Sequence, residues 1–261
     1  MLEDDHLSRA MILSGLGRHE EALACADMAL AGDPGRLAAH ACRGIVLGRM
    51  GRHEEALACY DRVLEADPRN PLVLSNKATS LISTGRGGEA LGCYDRALEA
   101  QPDNTDILCN KTSALNHLGM AEEAARHADR VLELDPDNHV MMGAKAAALV
   151  QLGRDEEALD LYDRALDIRP DYVTGLNNKA ATLAKMGRYE EALECADDSI
   201  ATDPARTSAY KNKAQALIGL GRDAEALECL EKALDADPGD AVALYGRKYV
   251  LGRLGDPRPD P

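Results

Sequence analysis

The stretch GRHEEALACYDRVLEADP, residues 51–68, decides the fold because close copies of it recur along the chain every 34 residues. The glycine of this stretch, Gly51, has counterparts at residues 17, 85, 119, 153, 187, 221 and 255. Its proline, Pro68, has counterparts at residues 34, 102, 136, 170, 204 and 238, and no insertion interrupts the interval. A fixed period of this length predicts a repeat architecture in which each unit stacks on its neighbours.

Each 34-residue unit is predicted to form two helices. In the unit that begins at residue 173, Leu176, Ala180 and Leu183 follow the i, i+4, i+7 spacing of one helix face. Gly187 separates the two helical segments, because glycine adopts the left-handed backbone that ends many helices. The Asp-Pro pair ends the second helix, because proline disfavours helical backbone in the residue before it. The sequence therefore predicts an all-α protein.

The composition excludes several classes of function. A formal net charge of −15 argues against sequence-independent binding to nucleic acid or to an anionic membrane. The chain has no apolar run of about 20 residues and no basic start followed by an apolar segment. We therefore expect a cytoplasmic protein without nucleic-acid or membrane partners.

The cysteines predict packing rather than a disulfide framework. Five of the seven occupy one position of the repeat, and no CxxC pair occurs. A zinc site is therefore not indicated. These five are Cys25, Cys59, Cys93, Cys195 and Cys229.

The period and the phrases NKA, GRYEEALECAD and DP within residues 178–204 resemble the tetratricopeptide repeat (TPR) family, in particular archaeal and bacterial multi-repeat arrays. The resemblance covers residues 3–255 and implies a right-handed α–α superhelix of seven helix-turn-helix repeats with a C-terminal capping helix. The implied repeats are 3–36, 37–70, 71–104, 105–138, 139–172, 173–206 and 207–240, followed by the capping helix at 241–255 and a disordered tail at 256–261.

A basic residue occupies one position of all eight first helices. Helical geometry places this column beside the packing stripe, and the second helices carry a matching acidic column. We predict a structural ladder of ion pairs, with ligand contact as the alternative. The basic members are Arg9, Arg43, Lys77, Lys111, Lys145, Lys179, Lys213 and Arg247, and the acidic members are Asp27, Asp61, Asp95, Asp129, Asp163, Asp197 and Glu231.

The resemblance places the candidate binding surface on the first helices, which line the concave side in this family. Four asparagines there share one repeat position, and an asparagine amide both donates and accepts toward a peptide backbone. A solvated polar face is the alternative interpretation. The C-terminal first helices add basic and tyrosine side chains, which are common anchors. The candidate peptide-binding residues are Asn76, Asn110, Asn177, Asn178, Lys185, Lys211, Asn212, Gln215, Tyr245, Tyr249 and Arg253.

The first helices are also basic as a layer. From residue 37 onward, the 14-residue first-helix segments hold twelve Lys or Arg and one acidic residue, Asp106. Charge complementarity then favours an acidic segment or a C-terminal carboxylate as ligand.

Catalytic motifs are absent from the sequence. The phrase HEEAL at residues 19–23 and 53–57 begins like the zinc-protease motif HExxH, but Leu23 and Leu57 occupy the place of the second ligand. We therefore expect no catalytic residues, no metal and no cofactor. The predicted function is a non-enzymatic, monomeric adapter that binds a peptide segment of a partner protein. A self-assembling scaffold and a regulatory subunit of an enzyme complex are the alternatives.

Overall fold

The computed structural model describes residues 2–255, and its side chains from residue 6 onward. All fifteen elements in this part of the chain are α-helices. They are α1 (Leu2–Gly15), α2 (His19–Gly32), α3 (Leu37–Arg49), α4 (His53–Ala66), α5 (Pro71–Ser83), α6 (Gly87–Ala100), α7 (Thr105–His117), α8 (Ala121–Leu134), α9 (His139–Gln151), α10 (Asp155–Ile168), α11 (Val173–Lys185), α12 (Tyr189–Thr202), α13 (Thr207–Gly219), α14 (Asp223–Ala236) and α15 (Ala241–Leu254). The predicted tail at 256–261 lies outside the described residues.

The helix boundaries follow the local signals in the sequence. All eight glycines at the position of Gly51 have positive φ, between 67° and 79°, which is the left-handed region that disfavours other residues. In the same turn the backbone N–H of Arg52 donates to the carbonyl of Leu47 at 2.9 Å. The next first helix begins with a side-chain cap where the sequence provides one, as when Asn70 accepts from the N–H of Val73.

The helices form two compact units, Met1–Met120 and Ala121–Pro261. Within each unit, every helix packs against the next one in sequence. The odd-numbered helices of a unit also contact one another in succession, whereas among the described residues no even-numbered helix contacts the next even-numbered helix of its unit. The odd-numbered helices therefore form the more closely spaced layer of each stack, here called the inner face.

The core rests on one small-residue position of the repeat. The alanine that follows the Glu pair in the second helix is completely buried in every repeat, from Ala22 to Ala226. Three tyrosines are among the largest fully buried side chains: Tyr60, Tyr94 and Tyr162. Tyr60 fits because Gly44 faces it, and a Cβ at Gly44 would lie 2.6 Å from the Cε1 of Tyr60.

The predicted ion ladder is confirmed for six pairs. In each pair an aspartate of a second helix binds the cation that stands sixteen residues later, on the first helix of the next repeat. The N···O distances run from 2.5 to 2.7 Å. Most of the lysines and arginines are shielded along their stems, while the aspartates are about half exposed. The pairs are Arg43–Asp27, Lys77–Asp61, Lys111–Asp95, Lys145–Asp129, Lys179–Asp163 and Lys213–Asp197.

Candidate functional site

In the first unit, the predicted asparagines Asn76 and Asn110 lie on the inner face, on α5 and α7. They line a polar cavity of about 430 Å³ between these two helices. The amide of Asn76 donates to the carbonyl of Leu72 at 3.0 Å, within its own helix. The amide of Asn110 donates weakly to the hydroxyl of Ser75, at 3.5 Å. The amide of Asn76 is therefore bonded within its own helix, whereas that of Asn110 reaches the neighbouring first helix.

In the second unit, the structure corrects the predicted exposure of Asn177. This side chain is only 8% exposed, because α13 packs over it. The amide of Asn212 donates to the backbone carbonyl of Asn177 at 2.9 Å and to its side-chain oxygen at 2.8 Å. Asn178 lines a cavity of about 320 Å³ together with Tyr162 and Lys185. Asn177 and Asn212 therefore join neighbouring first helices, whereas Asn178 borders a cavity.

The three predicted cationic site residues all have aspartate partners. Lys185 pairs with Asp155 at 2.7 Å, and Arg253 pairs with Asp223 at 3.0 Å. Both aspartates are the first residue of a second helix, thirty residues before the cation. Such a carboxylate also interacts favourably with the positive end of its helix. The sequence analysis missed these pairs, although the thirty-residue spacing recurs.

Lys211 forms a comparable pair with Asp240. Asp240 also caps α15, because its Oδ1 accepts from the N–H groups of Val242 and Ala243, both at 2.9 Å. The hydrogen bond from Lys211, followed by that from the Ala243 backbone, holds the pKa of Asp240 below its usual value. Asp240 therefore stays ionised near neutral pH, and the charge of Lys211 is balanced within the fold.

Together with the ladder, these pairs neutralise most of the basic layer. Nine of its twelve Lys and Arg side chains have an aspartate within 3.0 Å. Most of the positive charge of the first helices is thus balanced by aspartates of the second helices and by Asp240. It is a weaker argument for an acidic ligand than the residue count suggested.

The predicted residues Gln215, Tyr245 and Tyr249 come together between α13 and α15. They line a cavity of about 350 Å³, here called the C-terminal groove. Tyr245 is 75% exposed, and Tyr249 is about half exposed with the guanidinium of Arg253 over its ring at 5.7 Å. The other lining residues are Ser208, Lys211, Asn212, Ala214, Ile218, Leu230, Val242 and Gly246.

The structure also shows an inner-face surface that the sequence analysis missed. A cavity of about 660 Å³, here called the N-terminal groove, lies between α1, α3 and α5. Its lining is almost wholly apolar, and Asp67 is its one charged residue among those described. The sequence does contain a pattern that indicates this groove, because the inward positions of the first repeats hold large aliphatic side chains. The lining residues are Leu7, Ser8, Met11, Leu37, Ala38, Ala41, Cys42, Ile45, Val63, Asp67, Asn70, Leu72 and Val73.

The described residues contain no group of three or more His, Cys, Asp or Glu side chains that could hold a metal ion. The five cysteines of the shared column are free and buried. Burial raises the pKa of the Cys93, Cys195 and Cys229 thiols, which lowers their thiolate fraction. Across residues 2–255, no helix combines the length and the apolar run needed for a membrane crossing.

Comparison with known proteins identifies the repeat. Three family models match: the N-terminal TPR repeats region of Psidin over residues 13–116, a TPR repeat over 146–187 and a tetratricopeptide repeat over 178–241. No curated protein gives a significant match. A tetratricopeptide repeat protein from Parabacteroides merdae superposes with a TM-score of 0.79 at 17% identity, over 95% of this chain and 98% of that one.

Two further structures share the fold. The APC/C hetero-tetramer Cut9–Hcn1 gives a TM-score of 0.78 at 14% identity, over 93% of this chain and 48% of that one. YrrB, described as a TPR protein with an unusual peptide-binding site, gives 0.51 at 24% identity, over 72% of this chain and 97% of that one. At these identities the likeness shows the fold alone. The family models, the fifteen helices and the shared fold together show that this chain is a tetratricopeptide repeat protein.

Proposed function

We propose that this chain is a non-enzymatic adapter that binds a segment of a partner protein on its inner face. TPR proteins in general mediate protein interactions, and stacked repeats offer extended surfaces for that purpose. Two of the structurally similar proteins point the same way, since one is described with a peptide-binding site and another is part of a hetero-tetramer.

The observation that carries the proposal is the exposure of large side chains at the C-terminal groove. Val242 is 67% exposed and lies beside the two exposed tyrosines, at the edge of a concave cavity. Tyrosine is enriched among the residues that dominate binding energy. Exposed apolar side chains around a cavity mark interaction sites more often than chance placement does.

The finer features expected from the sequence remain part of this proposal. They are a monomeric state, a cytoplasmic location and a groove ligand that is a peptide. Sedimentation at several concentrations tests the first, and a concentration-dependent increase in mass would favour the scaffold alternative.

The direct test is selection of binders from a displayed library of 12-residue peptides against the full chain. Selected peptides are then measured against a double variant, Tyr245→Ala with Tyr249→Ala. We expect binding to weaken by about ten-fold or more, because two exposed aromatic anchors are removed.

The matched control is Ile168→Ala, which removes a comparably exposed apolar side chain from the second helix α10 of the same unit. This variant is expected to bind normally. Equal binding by the wild type and the tyrosine variant would contradict the proposed surface.

A further inference from the structure

The C-terminal groove lies beside a repeat position that carries no side chain. The position of the four asparagines is occupied by glycine in the last first helix, at Gly246. The equivalent side chain one repeat earlier, Asn212, reaches the preceding first helix. At Gly246 no side chain covers Leu230, which packs directly against the glycine, with its Cδ2 only 3.1 Å from where a Cβ would be. The cavity therefore has an aliphatic floor.

The walls of this groove are aromatic and apolar. Ile218 and Val242 flank the floor, and Tyr245 and Tyr249 stand above it on successive turns of α15. Side chains spaced four residues apart lie on the same helix face, so the two rings border one space. A cavity of about 350 Å³ is within the size range of pockets that hold a small apolar group.

The charges at the two ends of the groove are already paired. Lys211 pairs with Asp240 and Arg253 pairs with Asp223, and these two carboxylates are only 13% and 12% exposed. An incoming carboxylate would either share a cation with the aspartate already bound to it or displace that aspartate. Sharing places two negative charges on one cation, and displacement leaves a largely buried carboxylate unpaired, which costs more than a new exposed pair returns.

We propose that the C-terminal groove takes an uncharged apolar side chain, of leucine to phenylalanine size, from the bound segment. This inference rests on the proposed adapter function and names the chemistry of its ligand. It replaces the acidic or C-terminal carboxylate ligand that the charge of the first helices favoured. The anchor side chain sits on Leu230 between the tyrosines, and backbone groups of the same segment lie near the exposed amide of Gln215.

The test uses the selected 12-residue peptides, each synthesised with a C-terminal amide and with a free C-terminal carboxylate. Against the full chain, we expect the two forms to bind within about two-fold of each other. We also expect less than about three-fold weakening between 50 and 300 mM salt, because no free charge pair forms in the groove. The selected sequences should share one aliphatic or aromatic position and show no enrichment of Asp or Glu.

Two variants locate the anchor. Gly246→Leu displaces Leu230, because even a Cβ there would lie 3.1 Å from the leucine Cδ2, and so alters the floor of the groove; we expect binding to weaken by about ten-fold or more. Val242→Asp, at an exposed position, places a charge on the groove wall without filling it and is expected to weaken binding comparably. Because Val242 is largely exposed, this second variant keeps the test valid if Gly246→Leu perturbs folding. Helicity and melting are measured for both.

The outcomes separate the two claims. Acid-rich peptides, a strong preference for the free carboxylate or steep salt dependence would overturn the apolar anchor and leave the adapter function standing. Peptides that bind equally to wild type, Gly246→Leu, Val242→Asp and the double tyrosine variant would place binding elsewhere, and would overturn both the apolar anchor and the C-terminal groove as the binding surface. A neutral consensus that loses affinity in both groove variants supports the inference.

Discussion

The N-terminal and C-terminal grooves occupy equivalent positions of the repeat, six repeats apart, yet their walls differ. In the N-terminal groove the bulky side chains stand on all three first helices, α1, α3 and α5, and are aliphatic. In the C-terminal groove they stand mainly on the second of the two helices, α15, and are aromatic. The equivalent pairs are Leu7 and Lys211, Met11 and Gln215, Ala38 and Val242, Ala41 and Tyr245, and Ile45 and Tyr249.

This difference shows which positions the fold leaves free. Ala22 and Ala226 are also equivalent, and both are completely buried alanines. A larger residue there would separate the two helices of a repeat, so the position does not vary. The inward positions have no such constraint, because they border a cavity rather than another helix. Chemical variety along the inner face therefore costs the fold little.

The largest expected effect tests the buried alanine position, which is the same in the first and the last repeat. Ala22→Leu and Ala226→Leu should each lower the free energy of unfolding by about 1–3 kcal/mol, because three extra carbons must enter a closed helix contact. Urea unfolding of the full chain measures the loss. The control, Gln215→Leu, changes an exposed inward position and should stay within about 0.5 kcal/mol of the wild type. If the two alanine variants were as stable as this control, the distinction between packing and inward positions would fail.

A smaller effect tests whether the N-terminal groove is a separate apolar surface. Met11→Gln introduces the residue found at the equivalent position of the C-terminal groove. A neutral apolar dye such as Nile red should bind this variant about five-fold more weakly, because about 1 kcal/mol of apolar contact is lost. Dye fluorescence titration measures the affinity. Tyr245→Ala serves as the control in the other unit, and an identical dye response from both variants would argue against a distinct N-terminal surface.

The smallest effect concerns the Lys211–Asp240 ion pair at the end of the C-terminal groove; at the N-terminal groove, Leu7 stands in the place of Lys211. Asp240→Asn keeps the helix cap but removes the charge that faces Lys211. Because the folded pKa of Asp240 is depressed, its charge contributes stability above the unfolded value, and that contribution is lost as the pH falls through the folded pKa. The melting temperature of the wild type should therefore exceed that of Asp240→Asn slightly at pH 7, and the gap should close below about pH 4.

A gap between the two melting temperatures that persisted or widened in acid would show that the cap, not the charge, determines the difference. The comparison is made at matched ionic strength, because exposed pairs weaken with added salt.

The fold was predictable from the sequence because its determinants are local and repeated. Gly51 and its counterparts mark the turns, and the buried alanines and the ion ladder appear at fixed spacings. The inner face was less predictable. Asn177 was expected to be exposed, but the approach of α13 buries it, and only the distance between neighbouring first helices decides this.

The ion pairs of the candidate site were not predicted, for a related reason. Lys185 and Arg253 were predicted as peptide-binding residues, and each meets an aspartate at the start of a second helix thirty residues earlier. Each contact joins side chains on two different helices, and the distance between those helices cannot be read from the repeat period. The N-terminal groove was not predicted, because its lining consists mainly of aliphatic side chains, which in a sequence look the same as core residues.

The ion ladder also bears on how the length of such a chain can change. Each cation stands sixteen residues after its aspartate, whichever repeat supplies them. If residues 173–206 were excised as a block, Asp163 would stand sixteen residues before Lys213, and the junction would meet the same pairing rule as every other junction. Repeats can therefore be gained or lost as whole parts without new compensating substitutions, while a deletion that is not a whole number of repeats would change the sixteen-residue spacing of the pair that spans the junction.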